Sequence, residues 1–167
     1  MVTYRTADPI SPLAAAALAH LPPLQQQLLY TRGIASTEAA AAFLEPSYDA
    51  HLHDPFLLPD MEKAVERILA AMEQGEIIAI YSDYDCDGIP GGVILHDLFT
   101  AIEYAHFINH IPHRHFDGFG LHTHAVEALH EKAVSLIITV DCGTTDVRAV
   151  ARARELGVDV IITDHHQ

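Results

Sequence analysis

EIIAIYSDYDCDGIPGG, residues 76–92, reads as a strand, an acidic turn and the opening of a helix. Residues 76–82 read as a strand, with an unbroken apolar run at 77–81 rich in branched side chains, as a strand covered on both faces requires. Pro90 suits the first turn of a helix, here expected over 89–103. The same order recurs downstream. SLIITVD (135–141) runs into Cys142-Gly143 and a helix at 144–156, and VDVIITD (158–164) runs into His165-His166. A strand at 104–111 and a helix at 123–133 fill the interval. Strands alternating with helices predict a doubly wound α/β fold on a parallel sheet.

Upstream the period changes. Met61, Ala64, Val65, Ile68, Leu69 and Met72 recur at three- and four-residue steps, marking an amphipathic helix that ends near Gly75. Residues 45–60 hold three prolines and little periodicity, which predicts a linker or loop. Before it, 12–21, 24–31 and 36–44 read as short helices, the last capped by Ser36 or Thr37 with Glu38 in its first turn. The expected organisation is therefore a helical preface and linker over 1–60 and an α/β domain over 61–167. The last acidic cluster falls three residues from Gln167, so a fold of this kind is expected to continue past this sequence.

With 167 residues, half of them apolar, the chain has the material for a hydrophobic core. Its net charge of −14 argues against a general nucleic-acid surface, because phosphate binding rests on basic side chains. A nucleic-acid role therefore needs metal ions or a basic region elsewhere. No signal-peptide pattern opens the chain, and no apolar run approaches the roughly 20 residues needed to span a bilayer, so a cytoplasmic protein with no membrane partner is expected. Two cysteines, Cys86 and Cys142, make no disulfide framework and read as small packing residues.

Asp83, Asp85 and Asp87, then Asp141, then Asp164-His165-His166 each follow a predicted strand, and in an open parallel sheet ligands bind beyond the carboxyl ends of the strands. Such an array of carboxylates repels itself without a counter-charge. Carboxylates with one or two imidazoles suit Mn²⁺ or Mg²⁺, and two ions about 3.5–4 Å apart are expected. A helix cap is the plainer reading of Asp141 taken alone. Asp164 reads as a carboxylate that orients a neighbouring histidine. Gly88 and the small residues after it place backbone amides at a helix start, where a phosphate is favoured, although glycines also simply permit close packing. Arg114, in IPHRHFDGFGL (111–121), is a candidate phosphate clamp, with pairing to Asp117 as the alternative. The remaining histidines are scattered without ligand spacing.

SDYDCDG, IPHRHFDGFGL, IITVDCG and IITDHH, in this order, resemble the DHH phosphoesterase superfamily, specifically the RecJ-type single-strand-specific exonucleases. LLYTRGIASTEAAAAFLEPS and HDPFLLPDMEKAVERI are similar to the helical region that precedes the domain in that family. The resemblance implies hydrolysis of single-stranded DNA from the 5′ end to 5′-mononucleotides in recombination and repair, with Mn²⁺ or Mg²⁺ and a single-strand-binding protein as partner. It also implies Asp83, Asp85, Asp87, Asp141 and His165 as metal ligands, Asp141 bridging, and His166 beside the scissile phosphate. Tyr81 stands where wider relatives carry a histidine, and Pro90 where RecJ proteins commonly carry Thr. The family's fourth motif and C-terminal domain lie outside this sequence, so 167 residues alone are expected to bind metal weakly and cleave little. The alternatives are a small phosphoesterase acting on oligoribonucleotides, cyclic dinucleotides or pyrophosphate, and a non-catalytic replication scaffold.

Overall fold

The computed structural model describes residues 3–166, and the chain divides into two compact units, Met1–Leu57 and Leu58–Gln167. Met1, Val2 and Gln167, at the outer ends of the two expected regions, lie outside the described residues.

The first unit is helical: α1 Pro12–Ala17, α2 Pro23–Tyr30, α3 Thr37–Leu44 and α4 Tyr48–His51, followed by a 3₁₀ turn at Pro55–Leu57. Serine hydroxyls open three of them, since Ser11, Ser36 and Ser47 accept from the N–H of Ala14, Ala39 and Ala50. Ser36 is thus the cap of α3, while the Thr37 hydroxyl donates to the carbonyl of Ala17. Leu18, Leu29 and Ala40 form a small core with Ile10, Leu21 and Ile34 against it. α1 stops at Ala17 rather than 21, because the chain turns through Leu18–Leu21 before Pro22 and Pro23. α4 lies inside the segment expected to be a linker, held by the Ser47 cap and by the Ser47 N–H donating to His51 Nδ1.

The second unit begins with α5 Met61–Gln74, which ends where Gly75 takes the left-handed conformation. Then follow β1 Ile77–Ser82, α6 Gly88–Ala101, β2 Phe107–His110, α7 Thr123–Glu131, β3 Val134–Val140, α8 Val147–Glu155 and β4 Asp159–Thr163. The four strands form one sheet in the order β2-β1-β3-β4, every pair parallel. Period-two alternation on β1 sends Ile78 and Ile80 into a core with Ala71, Phe99, Leu136 and Ile138. Ala79 and Tyr81 face the opposite way, into a second core with Val126, Leu129, Ile137 and Ala153. Helices on both faces make the sheet doubly wound. β1 neighbours β2 on one side and β3 on the other, so the chain reverses direction across the sheet at β1 and β3. A crevice forms outside the carboxyl ends of strands at such a point.

Several element boundaries differ from the sequence reading. α6 starts at Gly88, which moves Pro90 to its third residue, still among the helix amides that lack an internal partner. β2 begins at Phe107 rather than 104, because Glu103 has a φ of 59° and the Tyr104 hydroxyl turns back to the carbonyl of Glu76. α7 stops at Glu131, two residues before Ala133 with a φ of 61°. α8 begins at Val147 rather than 144, after a turn in which Gly143 has a φ of 115°.

Candidate metal centre

All four strand ends deliver chemistry to one side of the sheet. The ladder continues one residue past two strands: the Asp83 N–H donates to the carbonyl of Val140 at 3.0 Å, and the Asp141 N–H to the carbonyl of Thr163 at 2.8 Å. Asp83 and Asp141 are therefore placed by sheet register and not by free loops. Both are buried, at 1% and 7% exposure. Asp141 has a φ of 62°, a left-handed conformation that Asp tolerates better than most residues. It caps no helix, since α8 starts six residues later.

Asp85 Oδ1 accepts from the N–H groups of Asp87 and Gly88 at 3.2 and 3.1 Å, and these bonds lower its pKa. The Gly88 amide, a candidate phosphate donor in the sequence, is thus given to Asp85. A Cβ at Gly88 would meet the Asp83 carbonyl oxygen at 2.6 Å, and one at Gly92 the Ser82 Oγ at 2.8 Å. These glycines let α6 sit directly on the end of β1.

His165 Nε2 lies 3.1 Å from Asp141 Oδ1 and 3.8 Å from Asp87 Oδ2. His166 Nδ1 lies 2.7 Å from Asp164 Oδ1 and 3.9 Å from Asp141 Oδ1. The Asp164 carboxylate also accepts from the backbone N–H of Thr144, His165 and His166 at 3.0, 2.7 and 3.1 Å. Burial opposes its charge, but the hydrogen bonds from His166 and Thr144 hold its pKa well below the usual carboxylate range. In return, the bond to Asp164 raises the pKa of His166.

Two overlapping groups emerge among the described residues: Asp83, Asp85 and Asp141, and Asp141, His165 and His166, each with ligand atoms within 4.8 Å of one another. Asp141 belongs to both. Asp87 stands in neither; its side chain is two-thirds exposed, at 67%. Burial, then the neighbouring carboxylates, raises the pKa of Asp141, and burial also raises that of Asp83. Asp83 Oδ1 and Asp141 Oδ2 are buried without a hydrogen-bond partner. Unsatisfied carboxylate oxygens of this kind fit a hard cation. The thiols stand apart: Cys86 is exposed, while Cys142 turns its Sγ to the Tyr81 carbonyl and is pushed by burial to about 12.

The loop after β2 borders this group. Arg114 does not pair with Asp117, whose carboxylate takes the His113 N–H and His124 instead. Its guanidinium covers the Tyr84 ring at 4.1 Å and donates to the Tyr84 carbonyl at 3.2 Å. Phe119 stands edge-on to His166, ring centroids 5.1 Å apart. The Tyr81 hydroxyl donates to the Gly120 carbonyl at 2.9 Å, and Asp146 Oδ2 accepts from the Leu121 N–H at 2.6 Å. Phe119 and Asp146 escaped the sequence reading, and Tyr81 entered it only as a departure from wider relatives and not as an anchor of this loop. The only hint was a hydroxyl in an otherwise apolar strand and an acidic residue five positions after Asp141.

Residues 77–167 match the model of the DHH family, N-terminal domain. Among curated relatives, the single-stranded-DNA-specific exonuclease RecJ of Bacillus subtilis is 43% identical over 89% of this chain and 19% of its own length. The protein of the same name from Escherichia coli is 35% identical over 89% of this chain and 25% of its own. The chain thus spans about a fifth to a quarter of these relatives. A crystal structure of exonuclease RecJ bound to manganese superimposes with a TM-score of 0.60 at 38% identity, covering 66% of this chain and 29% of that one. RecJ from Thermus thermophilus in complex with Mn²⁺ gives a TM-score of 0.60 at 30% identity, covering 93% and 20%.

Proposed function

We propose, from the premise that this chain belongs to the DHH family, that it carries the metal centre of a nuclease acting on single-stranded DNA. The observation that supports this most is the pair of buried, unpartnered carboxylate oxygens of Asp83 and Asp141 at the end of a parallel sheet. Uncompensated buried charge costs several kcal/mol per ion, so such a pair calls for cations. Asp83, Asp85, Asp87, Asp141 and His165 are the proposed ligands of two Mn²⁺ or Mg²⁺ ions, with Asp141 shared. When bound, the ions supply Lewis acidity and an activated water.

The other roles follow from the chain's own groups. Asp164 accepts from Nδ1 of His166 and favours the protonated ring, in which Nε2 also donates and can face charge developing on a phosphoryl oxygen. Arg114, whose Nη2 now donates to the Tyr84 carbonyl, would take a phosphate in bidentate fashion by exchanging that bond. Gly88, its amide given to Asp85, keeps the start of α6 close to the carboxylates instead of donating to a phosphate. Phe116 and Phe119, 85% and 47% exposed, offer apolar faces on which unpaired bases can stack. The same reading includes digestion from the 5′ end to 5′-mononucleotides, a role in recombination and repair, work beside a single-strand-binding protein, and a cytoplasmic location. Among the described residues no helix is long and apolar enough to cross a membrane. The region up to residue 60 is proposed to be a helical preface to the catalytic fold.

A segment swap tests the reading. This chain would replace the matching segment of the Bacillus subtilis relative, and the chimera would be given a labelled single strand and its duplex in Mn²⁺. The expected result is shortening of the single strand only, abolished by His166→Ala. A chimera that folds and takes up Mn²⁺ yet leaves the single strand intact would refute it.

A further inference from the structure

The loop between β2 and α7 brings Phe119 to His166, and its anchorage is specific. Phe119 lies between Gly118 and Gly120, with φ of 82° and 99°, conformations that L side chains rarely adopt. On one side the buried Tyr81 hydroxyl holds the Gly120 carbonyl. On the other, Asp146 accepts from the Leu121 N–H at 2.6 Å, the short end of such bonds. A Cβ at Gly120 would lie 2.8 and 2.9 Å from the two Asp146 carboxylate oxygens. Asp146 stands at the N-cap position of α8, yet its side chain makes no capping bond. Its carboxylate serves the loop instead of its own helix, although Asp is a favoured cap.

We infer that Asp146 is a positioning residue. Together with Tyr81 it pins Gly120-Leu121, which fixes the Phe119 ring against His166 and sets the orientation of that imidazole at the metal centre. Nothing in the ligand motifs requires this contact, because Asp146 touches none of the clustered carboxylates. Phe119 confines the His166 ring laterally, while Asp164 fixes only one of its nitrogens. The inference rests on the proposed role of His166, but its test does not depend on catalysis.

The test is side-chain NMR of the chain labelled at histidine and phenylalanine, paired with Mn²⁺ titration by calorimetry. In the wild type, the His166 ring protons are expected to show cross-relaxation to the Phe119 ring and a ring-current shift. Asp146→Ala is expected to abolish both while the amide signals of β1 and β3 stay in place. Asp146→Asn, which keeps an acceptor oxygen for the Leu121 N–H, is expected to restore them. Mn²⁺ affinity should change less than twofold in either variant. Persistence of the Phe119–His166 signals in Asp146→Ala would overturn the inference. Should that variant fail to fold, Gly120→Ala supplies the second arm, because it displaces the loop with Asp146 still in place. Retention of the His166 signature there would equally overturn it. Failure of the wild type to bind Mn²⁺ would count against the metal centre alone and leave the Asp146 contrast readable.

Discussion

Asp141→Asn should make the metal-free protein more stable and the metal-loaded protein less so. Asp141 is 7% exposed, its Oδ2 has no partner, and burial and the charges of Asp87 and Asp85 raise its pKa. Asparagine has nearly the same shape and tolerates the positive φ. Its Oδ1 can still accept from His165, and its NH₂ finds acceptors in the adjacent carboxylates. The substitution therefore removes a repelled charge without opening a cavity. An unsatisfied buried acceptor costs ~1–3 kcal/mol, a lower bound for a charged one. At ~2–4 °C per kcal/mol for a chain of this size, the Tm in EDTA should rise by about 2–12 °C. Mn²⁺ at about 100 times its Kd stabilises the wild type by ~2.7 kcal/mol, and the variant should lose most of that gain. Differential scanning calorimetry in EDTA and in Mn²⁺ would show the two melting orders crossing. A lower Tm for the variant in EDTA, or an undiminished Mn²⁺ shift, would refute the account of Asp141 as an uncompensated buried charge awaiting a cation.

Two further outcomes follow from packing and exposure. Gly88→Ala puts a methyl within 2.8 Å of the Asp83 backbone carbonyl carbon, atoms that cannot swing aside, and should cost ~1–3 kcal/mol by overpacking, visible as a lower urea midpoint. A midpoint unchanged within error would show that α6 lifts away freely. Ellman's reagent should modify Cys86 in the native protein and Cys142 only on unfolding, because Cys142 is fully buried and its thiol is pushed up to about 12. Two rapidly reacting thiols under native conditions would contradict the placement of Cys142.

The strands and the acidic clusters were legible because each apolar run stops at the residue where the ligand candidates begin, so Asp83, Asp141 and Asp164 announce both the strand end and the site. The boundaries that shifted depend on conformations no period encodes. Glu103, Ala133 and Asp141 take positive φ without being glycine. Their conformations are set by contacts across the fold, such as the Tyr104 hydroxyl reaching the carbonyl of Glu76, 28 positions away. α4 went unread because one turn of helix leaves no repeat to detect. The roles of Tyr81 and Asp146 as loop anchors were invisible for a related reason. Their partners, Gly120 and Leu121, lie 39 and 25 residues off, and nothing in either local sequence marks a hydroxyl or carboxylate destined for a loop.

The amides of Asp83 and Asp141 each extend a strand pairing by one residue, so the two residues stand opposite each other at the ends of the adjacent strands β1 and β3. Their separation is inherited from the interstrand repeat of about 4.8 Å, which is the same in every sheet. That makes the sheet a ruler for the ion site. Helices and loops around it can be exchanged, lengthened or recut for different substrates, and the graduation that meets the metal stays where the backbone put it.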